Sequence, residues 1–377
     1  MNSLLELINF GQSYWLDNLS RDIIKNGKLR QKVKEQGLRG VTSNPSIFNK
    51  AITNSSEYDE QIKTLSKDGK SVSEIYEHLV VKDVQDACDI LQSVYEDSDG
   101  ADGFVSLEVS PYLARHTKQT MVEARRLFQA VNRPNCLIKI PGTIEGIPAI
   151  EQMLYEGVNV NITLLFSIER YEAVAEAYIR ALERRLNEGR DIEKIASVAS
   201  FFVSRIDTLV DQLLGHRMIP GEDPSNFEIP SQLLGKIAVA SGKIAYQSFK
   251  KIFNGKRWQK LLENNAHVQR LLWASTSTKN PEYKDVIYVE PFIGPNTVNT
   301  MPEDTISAFA DHGKIIENSV EANLDEAYRN LQLLEKVGIV LTRVTQQLED
   351  EGIQKFIDPF AALMKNLADK HLLGIPV

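Results

Sequence analysis

Short runs of β-branched and aliphatic residues recur along the chain, and each is followed by a longer stretch whose apolar residues have helical spacing. Eight such runs are present, at residues 13–17, 38–43, 103–109, 136–140, 158–166, 196–203, 270–275 and 285–292. Alternation of strands and helices predicts a parallel sheet, because parallel neighbours need a long crossover connection. Several runs are apolar almost throughout, as in strands that are covered on both faces. The pattern favours a closed barrel or a doubly wound sheet.

The stretches between the runs carry recognisable helix signals. Ser167 is a suitable N-cap for a helix at 168–186, and Pro148 suits the first turn of the helix before Gly157. A barrel of eight strands and eight helices needs only about 250 residues, whereas the chain has 377. We place the surplus at 51–83, at 214–231 and from residue 302 to the end. No linker rich in Gly, Ser or Pro divides the chain, so we expect one domain over residues 1–377, with 303–377 as a mostly helical extension packed on the barrel.

Composition limits the classes of function. The chain is 42% hydrophobic and 25% charged, and its net charge of −8 comes from interleaved acidic and basic residues. A nucleic-acid partner is therefore not expected, since no basic surface stands out. The two cysteines and six histidines form neither a disulfide framework nor a metal motif. No apolar run approaches the roughly 18 residues that span a bilayer, so we expect a cytoplasmic protein without a metal or a membrane partner.

Isolated polar residues stand near the C-terminal ends of the hydrophobic runs, which is the end where a barrel forms its active site. They are Asp17, Asn44, Glu108, Lys139, Asn161, Thr163, Ser200 and Ser275. Asn161 and Thr163 are two positions apart, so a regular strand places both on one face. Lys139 is the only charged residue in its run. The sequence therefore predicts a polar cluster around Lys139 at one mouth of the barrel.

A lysine in this position can act as a nucleophile toward a carbonyl carbon. Only the neutral amine attacks, and burial disfavours the charged form of an amine. Dehydration of the resulting carbinolamine needs a proton donor and acceptor, and cleavage of a carbon–carbon bond β to the imine needs a base for the departing hydroxyl. Glu108 and Asp17 are the candidates for these two roles.

Each of these residues also has an ordinary structural interpretation. A lone lysine at a strand end can simply emerge into solvent, Asn44 can belong to a turn with the proline after it, and Asp17 can be an N-cap. The polar residues 275–278 can form a loop. Glu108 and Asp17 can also suggest a glycosidase pair, but that alternative leaves Lys139 without a role. The alignment of all these residues with strand ends favours the catalytic interpretation.

Longer motifs around these residues resemble the transaldolases, and specifically the longer subfamily whose second strand runs into Thr-Ser-Asn-Pro-Ser. The motifs are Gly-Val-Thr-Ser-Asn-Pro-Ser-Ile-Phe at 40–48, Val-Ser-Leu-Glu-Val at 105–109, Leu-Ile-Lys-Ile-Pro-Gly-Thr at 137–143, Gly-Val-Asn-Val-Asn-Ile-Thr-Leu-Leu-Phe-Ser at 157–167 and Ser-Phe-Phe-Val-Ser-Arg-Ile-Asp at 200–207. Together they are specific, and the resemblance covers most of the chain. It implies a (β/α)8 TIM barrel with additional helices, and an enzyme of the pentose phosphate pathway that needs no cofactor.

The resemblance also implies a role for each residue. Lys139 forms a Schiff base with the ketone of sedoheptulose 7-phosphate or fructose 6-phosphate, and the dihydroxyacetone unit passes to glyceraldehyde 3-phosphate, giving erythrose 4-phosphate and fructose 6-phosphate in the forward direction. Glu108 moves protons through a water that Thr163 helps to hold, and Asp17 takes the proton of the C4 hydroxyl. The resemblance further implies that Asn44, Asn161 and Ser200 bind the sugar hydroxyls and that Arg205 binds the phosphate. Ser275 is a further expected substrate contact.

One position departs from the family pattern. Shorter members carry an arginine soon after the seventh-strand Ala-Ser, whereas Ser275 is followed here by Thr-Ser-Thr-Lys. We expect Lys279 to be the second phosphate contact, as a point charge instead of the planar guanidinium of an arginine.

Two other functions stay open: a fructose 6-phosphate aldolase type that releases free dihydroxyacetone, and a catalytically inactive barrel that binds sugar phosphates. Glu108 favours transfer of the dihydroxyacetone unit over its release. For the oligomeric state we expect a monomer or homodimer.

Overall fold

A computed structural model of the chain describes residues 3–218 and 227–373. Part of the expected insertion at 214–231 and the last residues of the expected extension therefore lie outside the described residues. Eight parallel strands form a closed barrel in chain order, and the last strand pairs with the first. The strands are β1 (Gln12–Leu16), β2 (Gly40–Val41), β3 (Phe104–Glu108), β4 (Cys136–Pro141), β5 (Val160–Leu165), β6 (Ser197–Phe202), β7 (Arg270–Ala274) and β8 (Thr297–Met301). The predicted TIM barrel is confirmed.

Helices surround this barrel. Those assigned in the described residues are α1 (Ser3–Glu6), α2 (Arg21–Lys25), α3 (Lys28–Gln36), α4 (Pro45–Thr53), α5 (Asp59–Lys67), α6 (Val72–Asp97), α7 (Thr117–Val131), α8 (Gly146–Glu156), α9 (Ile168–Asn187), α10 (Ser204–Gly215), α11 (Glu228–Leu233), α12 (Ile237–Phe253), α13 (Lys256–Leu262), α14 (Glu303–His312), α15 (Leu324–Lys336) and α16 (Leu341–Leu373). Ser167 caps α9 as predicted, because its hydroxyl accepts a hydrogen bond from the backbone N–H of Arg170 at 3.1 Å. None of the described helices is long and apolar enough to cross a membrane.

The prediction of the eighth strand was wrong. Residues 285–292 form turns that end in a short 3-10 helix (Glu290–Phe292), and the strand lies farther along the chain. The apolar residues of this segment are buried against the outside of the barrel, where Phe292 stacks on Trp273 with ring centroids 4.5 Å apart. The true strand contains Thr297 and Asn299, which are both fully buried. Hydrophobicity predicts burial, so a buried connection can be mistaken for a strand, whereas a buried strand that contains polar residues is not recognised.

The N-terminal end of the barrel is filled by polar side chains that bind one another. Asp102 accepts hydrogen bonds from Ser13 and from Trp15, whose Nε1 lies 3.0 Å from its Oδ1. Arg270 forms an ion pair with the same carboxylate at 3.2 Å. Gly40 is required beside Trp15, because a Cβ atom there would lie 2.5 Å from the indole ring. This end has the satisfied polar network expected of the stabilising face of a TIM barrel.

The last helix, α16, packs against elements that follow the C-terminal ends of strands. Its contacts include α4, α6, α10, β5 and the short 3-10 helix Pro111–Leu113. Ion pairs hold it to the barrel, with Glu349 at 3.3 Å from Arg170 and Lys370 at 2.7 Å from Asp59. The helix therefore crosses the end of the barrel at which the polar residues of the sequence pattern cluster. Our division of the chain into one domain stays a prediction.

Candidate active site

Lys139 lies in β4, and its side chain is only 5% exposed. Its Nζ donates a hydrogen bond to the backbone carbonyl of Ser43 at 3.1 Å. The same atom is 3.6 Å from Oε2 of Glu108, which stands directly beside it on β3 in the strand register. The fold thus encloses an amine and a carboxyl group together in the barrel interior, where little water competes for them.

The carboxyl group of Glu108 has no hydrogen-bond partner among the described residues, although both oxygens are buried. Burial raises the pKa of Glu108 to about 7, and the charge of Lys139 opposes this increase. The hydroxyl of Thr163, on β5, is also buried and without a partner in the described part of the chain. Buried polar groups of this kind need partners that the protein does not supply, as expected where a ligand binds.

Asn161 connects three strands across the barrel interior. Its Nδ2 donates to the hydroxyl of Ser106 at 3.0 Å, and its Oδ1 accepts from the hydroxyl of Ser200 at 2.7 Å. Ser106 was not among the predicted residues, although it precedes Glu108 by two positions and so shares its strand face. Asn161 lies beside Lys139 in the register, so this hydrogen-bonded row forms the wall next to the amine.

Asp17 follows β1 and lies within electrostatic reach of Lys139. Its carboxylate accepts a hydrogen bond from the hydroxyl of Thr42 at 2.7 Å, a residue that the sequence analysis missed. Burial raises the pKa of Asp17, while the positive charges of Lys139, Lys279 and Arg205 and the Thr42 hydrogen bond lower it. Burial has the largest effect, so the pKa of Asp17 is raised overall, as is common for carboxyl groups in active sites.

Arg205 and Lys279 form a cationic end of the site. Burial lowers the pKa of both groups, and the charge of Arg205 also lowers the pKa of Lys279. The Nη1 atom of Arg205 is buried without a hydrogen-bond partner among the described residues. The Lys279 amine donates to the hydroxyl of Ser277 at 2.6 Å on the exposed loop after β7. Asp17 acts on both cations and Glu351 on Arg205, but neither cation forms a close ion pair among the described residues. Two such cations beside each other are suited to a bound anion.

A comparison with known proteins decides the family. Residues 14–367 match the family model for Transaldolase/Fructose-6-phosphate aldolase. This chain belongs to that family. It is 50% identical to the transaldolase of Trichodesmium erythraeum over 378 residues, which cover 100% of this chain and 99% of that protein. It is also 50% identical over 380 residues to transaldolase 2 of a Nostoc species, with both chains covered completely. A third relative, the transaldolase of Thermobifida fusca, is 44% identical over 367 residues, which are 97% of this chain and 98% of that one.

Two other predicted residues of this transaldolase-family chain have structural partners. Asn44 adopts an extended conformation and caps α4, because its Oδ1 accepts from the backbone N–H of Ile47 at 3.1 Å. Ser275 has a left-handed backbone conformation, and its hydroxyl lies 2.9 Å from that of Ser204. Asn44 therefore has only its amide nitrogen available for a ligand, while the hydroxyl of Ser275 is held next to the helix that carries Arg205.

A β-bulge near the C-terminal end of β5 changes the course of the strand at the site. The register with β6 shifts between Ile162 and Leu165, and Leu164 has a positive φ of 60°. A non-glycine residue with this conformation is strained and needs support from its surroundings. The bulge begins directly after Thr163, so this hydroxyl stands at the last regular position of the strand. The sequence analysis treated 158–166 as a regular strand and could not locate this break.

The C-terminal helix contributes a residue that the sequence analysis did not consider. The ring of Phe356 lies over the amine of Lys139, with its centroid 5.6 Å from Nζ. The same ring is 6.0 Å from the guanidinium carbon of Arg205. Nothing in the motifs points to Phe356, since it is one apolar residue among many in α16. Its position depends on how the helix crosses the barrel.

Proposed function

We propose that this protein is a transaldolase that transfers a dihydroxyacetone unit from sedoheptulose 7-phosphate to glyceraldehyde 3-phosphate through a Schiff base on Lys139. The observation that carries the proposal is the buried amine of Lys139, 3.6 Å from a carboxyl group of Glu108 whose pKa is about 7. Membership of the family supports the same reaction. We further infer that the protein acts in the cytoplasm as a monomer or homodimer.

Schiff-base formation uses Lys139 and Glu108. The amine attacks the C2 carbonyl of the donor, and the carbinolamine loses its hydroxyl as water once that oxygen is protonated. A carboxyl group with a pKa of about 7 can donate this proton and take one back at neutral pH. The unpartnered hydroxyl of Thr163 supports a role in holding the water that relays the proton. The iminium is itself the electron sink, so the reaction needs no metal or organic cofactor.

Bond cleavage uses Asp17. Its carboxylate takes the proton of the C4 hydroxyl, the C4–O bond becomes a carbonyl, and the electron pair of the C3–C4 bond moves into the iminium to form an enamine. The departing aldehyde is erythrose 4-phosphate. The enamine carbon C3 then attacks the aldehyde of glyceraldehyde 3-phosphate, and Asp17 returns its proton to the new hydroxyl. Water adds to C2 of the resulting iminium, and the C2–N bond breaks to release fructose 6-phosphate and the amine of Lys139. Hydrogen bonding by Thr42 orients the carboxylate for both steps.

Substrate contacts follow from the remaining polar groups. Asn161 and Ser200 are already hydrogen-bonded to each other, so they meet the sugar hydroxyls in a fixed orientation. Asn44 offers an amide nitrogen after β2, and Ser275 offers a hydroxyl after β7. Such preorganised groups reduce the entropy lost when a flexible open-chain sugar binds.

Arg205 and Lys279 bind the phosphate in this proposal, and their roles can be separated. We expect Arg205→Ala to raise KM for fructose 6-phosphate by about 10- to 100-fold with a smaller change in kcat. The reason is that the paired, charge-assisted hydrogen bonds from the guanidinium to the phosphate are lost. Lys279→Ala removes an exposed point charge, so its effect should be smaller. Steady-state kinetics with each variant measure both effects. Arg257→Ala is the control, since Arg257 pairs with Glu176 and Glu183 on the outer surface. A KM for Arg205→Ala within experimental error of the control would contradict the assignment.

Borohydride trapping tests the proposed function directly. Incubation with fructose 6-phosphate and borohydride should add a three-carbon mass to the peptide that carries Lys139. An unmodified peptide under turnover conditions would instead favour the inactive sugar-phosphate-binding barrel. Without borohydride, conversion of fructose 6-phosphate should depend on added erythrose 4-phosphate, and rapid release of dihydroxyacetone without an acceptor would favour the aldolase type.

A further inference from the structure

We propose that Phe356 is a specificity-determining residue that keeps water away from the three-carbon intermediate on Lys139. In its presence C3 of the enamine bonds to the acceptor aldehyde, and in its absence C3 takes a proton from water and dihydroxyacetone is released. The inference rests on the proposed Schiff-base function. It assigns a chemical role to α16, which reaches the site from the C-terminal end of the chain.

The ring of Phe356 occupies the space between the two ends of the site. Its centroid lies 5.6 Å from Nζ of Lys139 and 6.0 Å from the guanidinium carbon of Arg205. The side chain is 4% exposed, so it covers the interior and is itself covered by the helix. A substrate joined to Lys139 with its phosphate at Arg205 must run along this ring. An aromatic face offers no strong hydrogen bond to water, so it presents a dry surface to the carbon atoms that react.

An aromatic cluster anchors α16 one turn after Phe356. Phe360 lies one helical turn after Phe356, and its ring meets Tyr76 and Tyr112 edge-on, at centroid distances of 5.3 and 5.7 Å. Tyr76 belongs to α6, and Tyr112 belongs to the short 3-10 helix after β3. Edge-to-face pairs of this kind have a preferred geometry and add to the packing energy. The cluster therefore ties α16 to both neighbouring segments at the level of the site.

Gly352 allows the helix to approach the strand ends closely. A Cβ atom at this position would lie 3.0 Å from Cδ2 of Leu164 and 3.6 Å from Nη1 of Arg205. Gly352 precedes Phe356 by four residues, so both lie on the same face of α16. The ion pair between Glu349 and Arg170 holds the preceding turn. The face of α16 that meets the barrel is thus shaped to place the ring at the mouth.

The enamine on Lys139 has two possible fates. In transfer, C3 attacks the acceptor aldehyde, a carbon–carbon bond forms, and the aldehyde oxygen takes a proton from Asp17. In release, C3 takes a proton instead, water adds to C2 of the iminium, the nitrogen is protonated, and the C2–N bond breaks to give dihydroxyacetone and the free amine. Transfer then ends in the same way, because water adds to C2 of the product iminium and the C2–N bond breaks. The two fates therefore differ only at C3, where release needs a proton that water can deliver and transfer needs the acceptor aldehyde. Excluding water from the space beside C3 lowers the ratio of release to transfer.

The ratio of release to transfer measures this role. Two rates are measured with fructose 6-phosphate as the donor: release of dihydroxyacetone without an acceptor, and transfer to erythrose 4-phosphate. The proteins compared are wild type, Phe356→Ala, Phe356→Leu and Leu363→Ala. We expect the ratio to rise on the order of tenfold in Phe356→Ala, corresponding to about 1.4 kcal/mol in relative barrier height. The rise should be smaller in Phe356→Leu, which keeps apolar volume. Leu363→Ala is the matched control, because Leu363 is fully buried in the hydrophobic core two turns along the same helix.

Two results would overturn the inference. The first is a wild-type ratio in folded Phe356→Ala, or in Phe356→Leu if the alanine variant does not fold. The second is an equal rise in Leu363→Ala, which would mean that loosening of α16 alone admits water. Borohydride trapping in wild type tests the proposed function separately. A missing adduct at Lys139 contradicts that function. A normal adduct, together with an unchanged ratio of release to transfer in the Phe356 variants, contradicts only the role of Phe356.

Discussion

Lys139→Met is expected to lower the rate of transfer by about 10⁴-fold or more, as removal of a covalent nucleophile does in other enzymes. Methionine has a similar length but no electron pair that can form an imine. No three-carbon adduct should therefore form at this position in the presence of borohydride. Coupled assays of transfer from fructose 6-phosphate to erythrose 4-phosphate measure the rate, and peptide mass analysis locates any adduct.

The variant should remain folded because of the environment of Glu108. Burial raises the pKa of this carboxyl group to about 7, and Lys139 is the charge that holds it down. When Lys139 is removed, the pKa of Glu108 rises further and the group becomes neutral at physiological pH. No uncompensated buried charge is left, so the large penalty of breaking a buried ion pair is avoided.

Lys243→Met is the matched control for Lys139→Met. Lys243 is 6% exposed and lies in α12, outside the site. Its amine donates to the backbone carbonyls of Ser319 and Ala322 at 2.9 and 2.5 Å. Its loss should lower the melting temperature, because two buried carbonyls lose their donor, but the adduct at Lys139 should form normally. Retained transfer in Lys139→Met, or an adduct on another lysine of that variant, would contradict the assignment of the nucleophile.

Asp17→Asn is expected to slow transfer by about 10²- to 10³-fold, because in the proposed mechanism Asp17 is the base that takes the C4 hydroxyl proton. Asparagine has the same shape and can still accept the hydrogen bond from Thr42. Imine formation depends on Lys139 and Glu108, so it should survive. Borohydride should therefore trap the intact six-carbon sugar phosphate on Lys139, in place of the three-carbon fragment trapped in wild type.

Mass spectrometry of the Lys139 peptide distinguishes the possible outcomes for Asp17→Asn. A six-carbon adduct with slow transfer supports the role of Asp17 in bond cleavage. Loss of every adduct would mean that Asp17 acts in imine formation, and a three-carbon adduct formed at the wild-type rate would remove it from the mechanism. Thr42→Val serves as a graded comparison, since it leaves the carboxylate in place and removes the hydrogen bond that orients it, together with the contact between the hydroxyls of Thr42 and Thr300 at 2.7 Å. Its effect on transfer should be smaller.

The sequence alone predicted seven of the eight strands and proposed the chemical groups of a site, whereas the choice of a barrel over a doubly wound sheet came from the resemblance to a family. Strand and helix patterns can be recognised locally, because each element places its apolar residues on the covered face at a spacing set by its own geometry. The positions of Lys139 and Glu108 at strand ends were also readable, since strands in a barrel share one direction and bring their C-terminal ends together. Close motifs then indicated the family to which the chain belongs.

Only the tertiary structure decided what surrounds those groups. The eighth strand was misplaced because its residues are polar yet buried, and burial depends on neighbours distant in sequence. The raised pKa of Glu108 depends on how much water the whole barrel excludes. The ring of Phe356 reaches Lys139 from more than 200 positions farther along the chain, through the packing of α16 on the strand ends. Local pattern determines which elements form, whereas the contacts between them, and hence the electrostatics and dryness of the site, exist only after the chain has folded.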